Sequence, residues 1–261
     1  MNPRIIFEDD SFLVIDKPSG VVVNRAETTK EETIQDWVEK YVIASDSEAI
    51  SSEPEEIATS PTAPRNDNIL EEFQSRGGIV HRLDKDTSGV LVIAKTPAAF
   101  ENLKNQFKNR ETVKKYLALV HGEVEPAVGS INAPIERNPF NRMRFGIFPG
   151  GREAETRYRV LKLLKDLKEL KYSLLECEPK TGRTHQIRVH MKHLNHPVVS
   201  DPIYGGRKQS KQDLSLCPRL FLHAVSLSLK HPLTSEVLTF TSPLPADLDK
   251  VLSAIGGSAL G

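Results

Sequence analysis

The segment from Gly78 to Gly89 holds the densest group of chemically active side chains in the sequence. It contains an imidazole, a guanidinium and two carboxylates, on His81, Arg82, Asp84 and Asp86. The continuous apolar run Val90–Ala94 follows directly and predicts a buried strand. A polar loop attached to a rigid strand is a typical position for an active site. A polar turn with ordinary capping residues would have the same composition, and the spacing alone does not decide between the two interpretations.

A second polar group lies further along the chain, between Thr181 and His196. The spacing predicts a helix near residues 184–194, whose core face carries Ile187, Met191 and Leu194. A different face of that helix carries His185, Arg188 and Lys192. Four histidines raise the hypothesis of a metal site: His185, His190, His193 and His196. Neither an HExxH motif nor a cysteine partner accompanies them, so we predict no bound metal.

The elements that must position these residues follow one another in an α+β order. Strands are predicted at Ile5–Phe7, Leu13–Ile15, Val90–Ala94, Val113–Val120, 155–163, 171–178, 220–229 and 236–241. Helices are predicted around Trp37, after the Thr96-Pro97 cap, near 184–194 and around Val251. In the 220–229 strand, alternation places Phe221, Val225, Leu227 and Leu229 on one side and Leu222, Ala224, Ser226 and Ser228 on the other. Strands that succeed each other without helices predict a mixed, largely antiparallel sheet with flanking helices.

Residues 44–68 differ from the rest of the chain in composition. They are rich in Ser, Glu and Pro and hold six acidic residues against one basic residue, Arg65. This composition predicts a disordered acidic insertion within a single domain that spans residues 1–261. The whole chain has 35 basic and 35 acidic residues, so removing six acids and one base leaves 34 against 29. The basic residues are concentrated locally: residues 179–231 hold nine Lys or Arg and two Asp, and residues 137–159 hold six Arg and two Glu. Such a local excess suits phosphate contacts, although a solvated face would look the same.

Composition also limits the class of protein. With 38% hydrophobic and 27% charged residues, the 261-residue chain is typical of a soluble globular protein. No apolar run approaches the ~20 residues that cross a bilayer, and the N-terminus lacks the pattern of a secretory signal. Two cysteines, Cys177 and Cys217, are too few for a disulfide framework. We therefore predict a cytoplasmic protein without a membrane association.

Four segments resemble, in order, the motifs of the RluA family of RNA pseudouridine synthases. They are Asp16–Gly20, reading DKPSG; His81–Asp84 with Thr87–Gly89, reading HRLD and TSG; Lys115–Gly122, reading KYLALVHG; and Thr181–His190 with Asp201–Gly205, reading TGRTHQIRVH and DPIYG. The resemblance extends over about residues 10–230. It implies the pseudouridine synthase fold with a central RNA-binding cleft, and isomerisation of uridine in structured RNA without a cofactor. No N-terminal S4-like segment precedes the first strand, and no obligate protein partner is implied.

The resemblance also implies roles for the matching residues. Asp84 matches the nucleophile, which adds covalently to C1′ or C6 of the nucleotide. Arg188 matches the arginine that pairs with this aspartate and favours its charged form. Tyr116 matches the tyrosine that stacks on the flipped uracil and can take the C5 proton. Substrate contacts are assigned to His81, Arg82, Arg183, His185 and Leu222, with Arg82 entering the stack that the uridine leaves.

Two further hypotheses come from other classes of protein. Asp84 and Asp86 could act together in glycoside hydrolysis, which needs a carboxylate pair about 5–9 Å apart. An RNA-binding or RNA-chaperone protein could keep the fold without the activity. The family implied by the resemblance includes members that act on ribosomal RNA and on transfer RNA, and the sequence does not choose between these substrates.

Overall fold

The computed structural model describes residues 1–26, 29–49 and 65–256. In these residues the chain forms a nine-stranded sheet, a two-stranded sheet and six helices. The strands are β1 (Arg4–Glu8), β2 (Phe12–Lys17), β3 (Ser88–Ala94), β4 (Val113–His121), β5 (Val128–Asn132), β6 (Ile135–Arg137), β7 (Phe145–Ile147), β8 (Glu155–Lys165), β9 (Lys171–Pro179), β10 (Leu222–Lys230) and β11 (Val237–Thr241). The helices are α1 (Ile34–Ala49), α2 (Arg65–Arg76), α3 (Pro97–Lys108), α4 (Gln186–His193), α5 (Arg207–Asp213) and α6 (Ala246–Ala254).

The large sheet runs in the order β1-β2-β3-β10-β4-β9-β8-β5, and β11 pairs with β10. Among the described strands, only β3 and β10 pair in parallel, and the other pairs are antiparallel. This is the mixed, largely antiparallel sheet that the sequence predicts. The parallel contact joins Gly89 to Ala224, where Gly89 has a φ of +117° and an added Cβ would lie 2.2 Å from the Ala224 oxygen. Only glycine allows the two strands to meet at this point.

Strand β3 is buried on both faces, as its continuous apolar sequence predicts. Val92 belongs to an apolar cluster that includes Phe100 of α3. Its neighbour Leu91 points to the opposite face and belongs to a cluster that includes Ile34 and Trp37 of α1. The polar loop 78–89 is therefore continued by a strand that is fixed between two layers of helices.

Strand β10 departs from regular alternation. Its pairing with β4 shifts between Ala224 and Ser226, where Val225 is the extra residue. Leu222, Ala224 and Leu227 consequently pair with Ala118, Tyr116 and Lys114, which lie on one face of β4. The prediction that placed Leu222 and Ala224 opposite Leu227 is wrong, because a bulge exchanges the two faces of the strand beyond it.

Both ends of the 44–68 stretch are helical, since α1 continues to Ala49 and α2 begins at Arg65. Residues 50–64, the rest of the predicted acidic insertion, lie outside the described residues, so the insertion stays a prediction. Helix α2 was not predicted, because its sequence is strongly polar. Tertiary contacts stabilise it: Phe73 packs edge-on against Phe100 of α3 with ring centroids 5.8 Å apart, and Glu72 pairs with Lys104.

Within the described part of the chain, no helix is both long and apolar enough to cross a membrane. Both cysteines, Cys177 and Cys217, are buried free thiols. Two of the four histidines considered as metal ligands form hydrogen bonds with other groups. His190 bonds to Thr156 Oγ1 and the Ala133 carbonyl, and His196 bonds to the His121 carbonyl. No group of three or more His, Cys, Asp or Glu side chains among the described residues is arranged to hold a metal ion.

Candidate active site

The loop that carries Asp84 is attached to the end of β2 by a buried lysine. Lys17 has no exposed surface, and its ammonium donates to the carbonyls of Pro18 (2.8 Å), Val21 (2.8 Å) and Lys85 (3.0 Å). Three donors meet three acceptors, so the side chain fixes the loop to β2. Burial lowers the pKa of Lys17 to about 7, against the attraction of the carboxylates in the loop.

The turn after Lys17 adds two more contacts to this loop. The Ser19 hydroxyl donates to the carbonyl of Asp86 at 2.7 Å, and the N–H of Gly20 donates to the carbonyl of Lys85 at 2.9 Å. Inside the loop, the N–H of Thr87 donates to the carbonyl of Asp84 at 3.1 Å. The DKPSG segment therefore holds the loop backbone at Lys85 and Asp86, directly after Asp84.

Asp84 and Asp86 face different cavities. Asp84 lines a cleft of about 600 Å³, whereas Asp86 lines a second cavity behind the loop, beside Lys17 and Arg219. Two carboxylates that act on one glycosidic bond must flank the same substrate. The arrangement contradicts the hydrolytic hypothesis, and Asp86 is left as a turn residue.

Arg188 projects from α4 and lies between two carboxylates. Its Nη1 is 3.3 Å from Asp84 Oδ2, while Nε and Nη2 donate to the two oxygens of Asp201 at 2.7 and 2.9 Å. The two-point contact with Asp201 orients the guanidinium and leaves one N–H edge for Asp84. Burial opposes the charge, but the hydrogen bonds and charge of Asp201, followed by the charge of Asp84, raise the pKa of Arg188 above its usual range. Arg188 is therefore a fixed cation beside Asp84.

Asp201 was absent from the predicted site residues. It has no exposed surface, and its Oδ1 also accepts the backbone N–H groups of Ile203 (2.8 Å) and Tyr204 (2.9 Å). These backbone contacts fix the position of the Asp201 carboxylate independently of Arg188. A signal was present in the sequence, because Asp201 opens the DPIYG segment, which resembles a family motif without any role having been assigned to it.

His185 lies beside Asp84 at the start of α4. Its backbone has a φ of 56°, in the left-handed region that side-chain-bearing residues rarely adopt. The ring lies between two polar groups: Nε2 is 4.0 Å from Asp84 Oδ1, and Nδ1 is 2.9 Å from the hydroxyl of Tyr204. Burial lowers the pKa of His185, although the charge of Asp84 opposes this, so the ring is neutral at pH 7.

Tyr116 lies in β4 between β10 and β9, where it pairs with Ala224 and Cys177. Its ring packs against two of the apolar clusters and also lines the cleft that contains Asp84. Burial raises the pKa of Tyr116 above its usual range, and the negative charge of Asp84 adds to the effect. The phenol is therefore protonated in the resting protein, with its ring presented to the cleft.

All eight residues predicted for the site line this one cleft. Leu222 is almost fully buried in its wall, Arg82 is exposed, and Arg183 donates from Nε to the Glu153 carbonyl at 2.9 Å. The histidine of the HRLD motif, His81, is engaged elsewhere. Its Nε2 accepts the backbone N–H of Val92 at 3.1 Å, its ring stacks on Phe107, and burial lowers its pKa to about 3. A neutral ring that holds the loop against β3 describes its contacts better than a hydrogen bond to substrate.

The cleft is strongly cationic although the chain as a whole is neutral. Ten of its lining residues are Lys or Arg, and one, Asp84, is acidic. These cations come from helices, loops and one strand that are far apart in sequence, so the total of 35 basic and 35 acidic residues conceals the excess. A cleft of this kind attracts a phosphate backbone.

Comparisons with known proteins agree with this geometry. The sequence profile described as RNA pseudouridylate synthase matches residues 11–193. An uncharacterized RNA pseudouridine synthase of Chloroflexus aurantiacus is 51% identical over 177 residues, which are 68% of this chain and 53% of that protein. The ribosomal large subunit pseudouridine synthase D of Nitrosomonas europaea is 38% identical over 255 residues, which are 97% of this chain and 65% of that protein.

A solved structure shows the same fold. Human RNA pseudouridylate synthase domain containing 1 has a TM-score of 0.68 and 26% identity, and the match covers 96% of this chain and 87% of the human chain. The chain thus spans less than two thirds of the length of the two bacterial relatives but most of the human structure. The profile match, the identities and the shared fold together place the chain in the RNA pseudouridylate synthase family.

Proposed function

We propose that this chain isomerises uridine to pseudouridine in a folded RNA, with Asp84 as the nucleophile and no cofactor. The observation that carries the proposal is the setting of the Asp84 carboxylate. It is the acidic side chain of a cleft lined by ten cations, and a buried arginine lies 3.3 Å from one of its oxygens. Such a pocket attracts a polyanion, and the guanidinium of the arginine attracts the negative charge of the carboxylate beside it.

The chemistry requires a group that adds and leaves again. The N1–C1′ bond breaks, the uracil turns, and C5 bonds to C1′; C5 loses a proton and N1 gains one. An ionised Asp84 can add to C1′ or C6 and depart as a carboxylate. Arg188 stabilises the charge both before addition and after departure, and it needs no rearrangement because Asp201 already orients it.

Tyr116 is the proposed stacking partner of the uracil and the proposed base for the C5 proton. In the resting protein the charge of Asp84 helps to raise the pKa of Tyr116. Once Asp84 is bonded to the nucleotide, that charge is neutralised and one cause of the raised pKa is removed. The phenol is therefore easiest to deprotonate after the covalent step, when it can pass its own proton to N1 of the detached uracil and then take the proton that C5 loses.

The target atoms of a stacked uridine are hidden, so the base must leave its helix. Arg82 is exposed at the rim of the cleft, where it can fill the space left in the stack. The name of the Nitrosomonas europaea relative makes ribosomal RNA of the large subunit the first substrate to test. Transfer RNA, the other substrate that the family resemblance implies, is the second. We also propose a cytoplasmic location, where two buried free cysteines would stay reduced.

The test is pseudouridine formation by the purified chain in large-subunit ribosomal RNA transcripts and in transfer RNA carrying [5-³H]uridine. Asp84→Asn should abolish tritium release and leave RNA affinity within a few-fold, because an amide of the same size cannot act as the nucleophile. Asp86→Asn is the matched control and should keep most of the activity, since Asp86 faces the other cavity. Turnover by the Asp84 variant would exclude this mechanism, and RNA binding without product in the wild type would favour the RNA-chaperone alternative.

A further inference from the structure

The Tyr204 hydroxyl lies where three elements meet. It accepts a hydrogen bond from the backbone N–H of Phe145 in β7 at 3.0 Å, and it lies 2.9 Å from Nδ1 of His185. Its ring lies against the guanidinium of Arg188, whose Cζ is 5.2 Å from the ring centroid. Tyr204 thus contacts both of the residues that flank the carboxylate of Asp84.

The partners of this hydroxyl decide which nitrogen of His185 carries the proton. A backbone N–H can only donate, so the Tyr204 oxygen accepts from Phe145. Its own hydrogen is then available for an acceptor, and among the described residues Nδ1 of His185 is the other atom within hydrogen-bond distance. If Nδ1 of His185 carried the proton, both it and the Phe145 N–H would donate to the Tyr204 oxygen. The hydroxyl hydrogen of Tyr204, whose side chain is nearly buried, would then lack an acceptor among the described residues. Nδ1 is therefore the acceptor.

We propose that Tyr204 is a positioning residue that holds neutral His185 with its proton on Nε2, so that an N–H group faces the carboxylate of Asp84. Nε2 lies 4.0 Å from Asp84 Oδ1, whereas Arg188 contacts the other carboxylate oxygen, Oδ2. With its proton, Nε2 attracts the ionised carboxylate; without it, a lone pair would face the carboxylate oxygen and repel it. This inference rests on the proposed role of Asp84.

Two further observations support a fixed His185. Its left-handed backbone, with φ 56° and ψ 22°, is a costly conformation that persists only where the surroundings determine it. Its ring also packs edge-on against Phe145 and Tyr204, with centroids 5.8 and 5.6 Å away. The charged groups that act on the ring are Asp84, Arg188, Asp201 and Arg82, and burial outweighs their combined effect to favour the neutral form.

The direct test is nuclear magnetic resonance of the full chain labelled with ¹⁵N-histidine at pH 7.5, without RNA. His185→Gln identifies the signals of this ring. We expect the wild-type ring to carry its proton on Nε2 and to show a hydrogen-bonded Nδ1, and Tyr204→Phe to move the Nδ1 signal to the position of an unbonded nitrogen. A proton on Nδ1 in the wild type, or an Nδ1 signal that Tyr204→Phe leaves in place, overturns the inference.

Kinetics supply a second readout with a matched control. Tyr204→Phe keeps the ring against Arg188, so we expect kcat to fall about fivefold while KM for RNA is unchanged. Tyr172→Phe is the control: Tyr172 is as buried, its hydroxyl is 3.4 Å from Asp166 Oδ2, and it does not line the cleft. It should change neither kcat nor the His185 signals, and equal losses of kcat for the two variants would contradict the positioning role.

The two proposals fail separately. If the wild type forms no pseudouridine but its spectra show the Nε2 proton, the proposed function fails and the tautomer stands. If the wild type is active and its ring carries the proton on Nδ1, the proposed function stands and this inference is wrong.

Discussion

Replacing Arg188 should damage both catalysis and folding, and Asp201 offers a way to separate the two effects. Arg188→Met removes the cation that lies 3.3 Å from Asp84 and both donors to the buried carboxylate of Asp201. The first loss concerns the reaction, and the second concerns the stability of the folded chain.

The expected magnitudes follow from these distances. Opposite unit charges 3.3 Å apart attract by about 5 kcal/mol at an effective dielectric constant of ~20. The Asp84 side chain is 20% exposed, so water that enters the site recovers part of this. We expect a net loss of about 3 kcal/mol, or about 100-fold in rate. Leaving Asp201 charged, buried and unpaired should lower the free energy of unfolding by about 3–5 kcal/mol.

The double variant Arg188→Met/Asp201→Asn separates these losses. Asparagine removes the buried charge yet keeps Oδ1 as an acceptor for the N–H groups of Ile203 and Tyr204. Most of the free energy of unfolding should therefore return, while Asp84 still lacks its cation. The rate of the double variant should stay near that of Arg188→Met.

The assays are urea unfolding and single-turnover pseudouridine formation at saturating RNA. Arg183→Ala is the control for a cation of the same cleft: we expect a change of about 1 kcal/mol or less in unfolding and a salt slope of RNA binding reduced by about one. If the double variant regains the wild-type rate together with its stability, Arg188 acts only through folding. Equal, mild losses for Arg188 and Arg183 variants would reduce Arg188 to a phosphate contact.

Three further changes test other parts of the site. Tyr116→Phe keeps the stacking ring but not the hydroxyl, so tritium release and product should fall together by about 100-fold or more at unchanged RNA affinity; normal turnover would restrict Tyr116 to stacking. Gly89→Ala should lower the free energy of unfolding by about 3 kcal/mol, because its Cβ meets the backbone of Ala224, whereas Gly182→Ala, which meets nothing within 4 Å, should not. His81 stays neutral in the folded chain, whereas in the unfolded chain it gains a proton as the pH falls from 6.5 to 5. The free energy of unfolding of the wild type, measured in urea, should therefore fall by about 2 kcal/mol over this range, and that of His81→Gln should not show this loss.

Much of this site could be predicted from short segments of the sequence. The HRLD, KYLALVHG and GRTHQIR strings name Asp84, Tyr116 and Arg188, and all three line one cleft although they come from a loop, a strand and a helix. The buried strand β3 and the Thr96-Pro97 start of α3 were equally predictable. Both elements depend on residues that are close in sequence: β3 on its continuous apolar run, and α3 on the capping side chain of Thr96.

The remaining features depend on partners that are distant in sequence. The bulge at Val225 is set by simultaneous pairing of β10 with β4 and β11, which no period-two pattern shows. The contact of Asp201 with Arg188 requires the turn between α4 and residue 201 to fold back along the helix. His81 was assigned to substrate because it belongs to a motif, and its actual contact with Val92 appears only when the loop is placed against β3.

The distribution of charge leads to one more prediction, on salt. The ten cations of the cleft attract a phosphate that binds there. Salt weakens this attraction where the charges are exposed, since screening extends over about 10 Å at 0.1 M. Releasing counterions should make RNA binding steeply weaker as salt increases. The Asp84–Arg188 pair is shielded from that screening, since Arg188 is 2% exposed. Between 50 and about 300 mM salt, the apparent Kd should therefore rise by orders of magnitude while the single-turnover rate at saturating RNA changes less than about twofold. A rate that falls in parallel with affinity would show that the exposed cations, rather than the buried pair, control the chemical step.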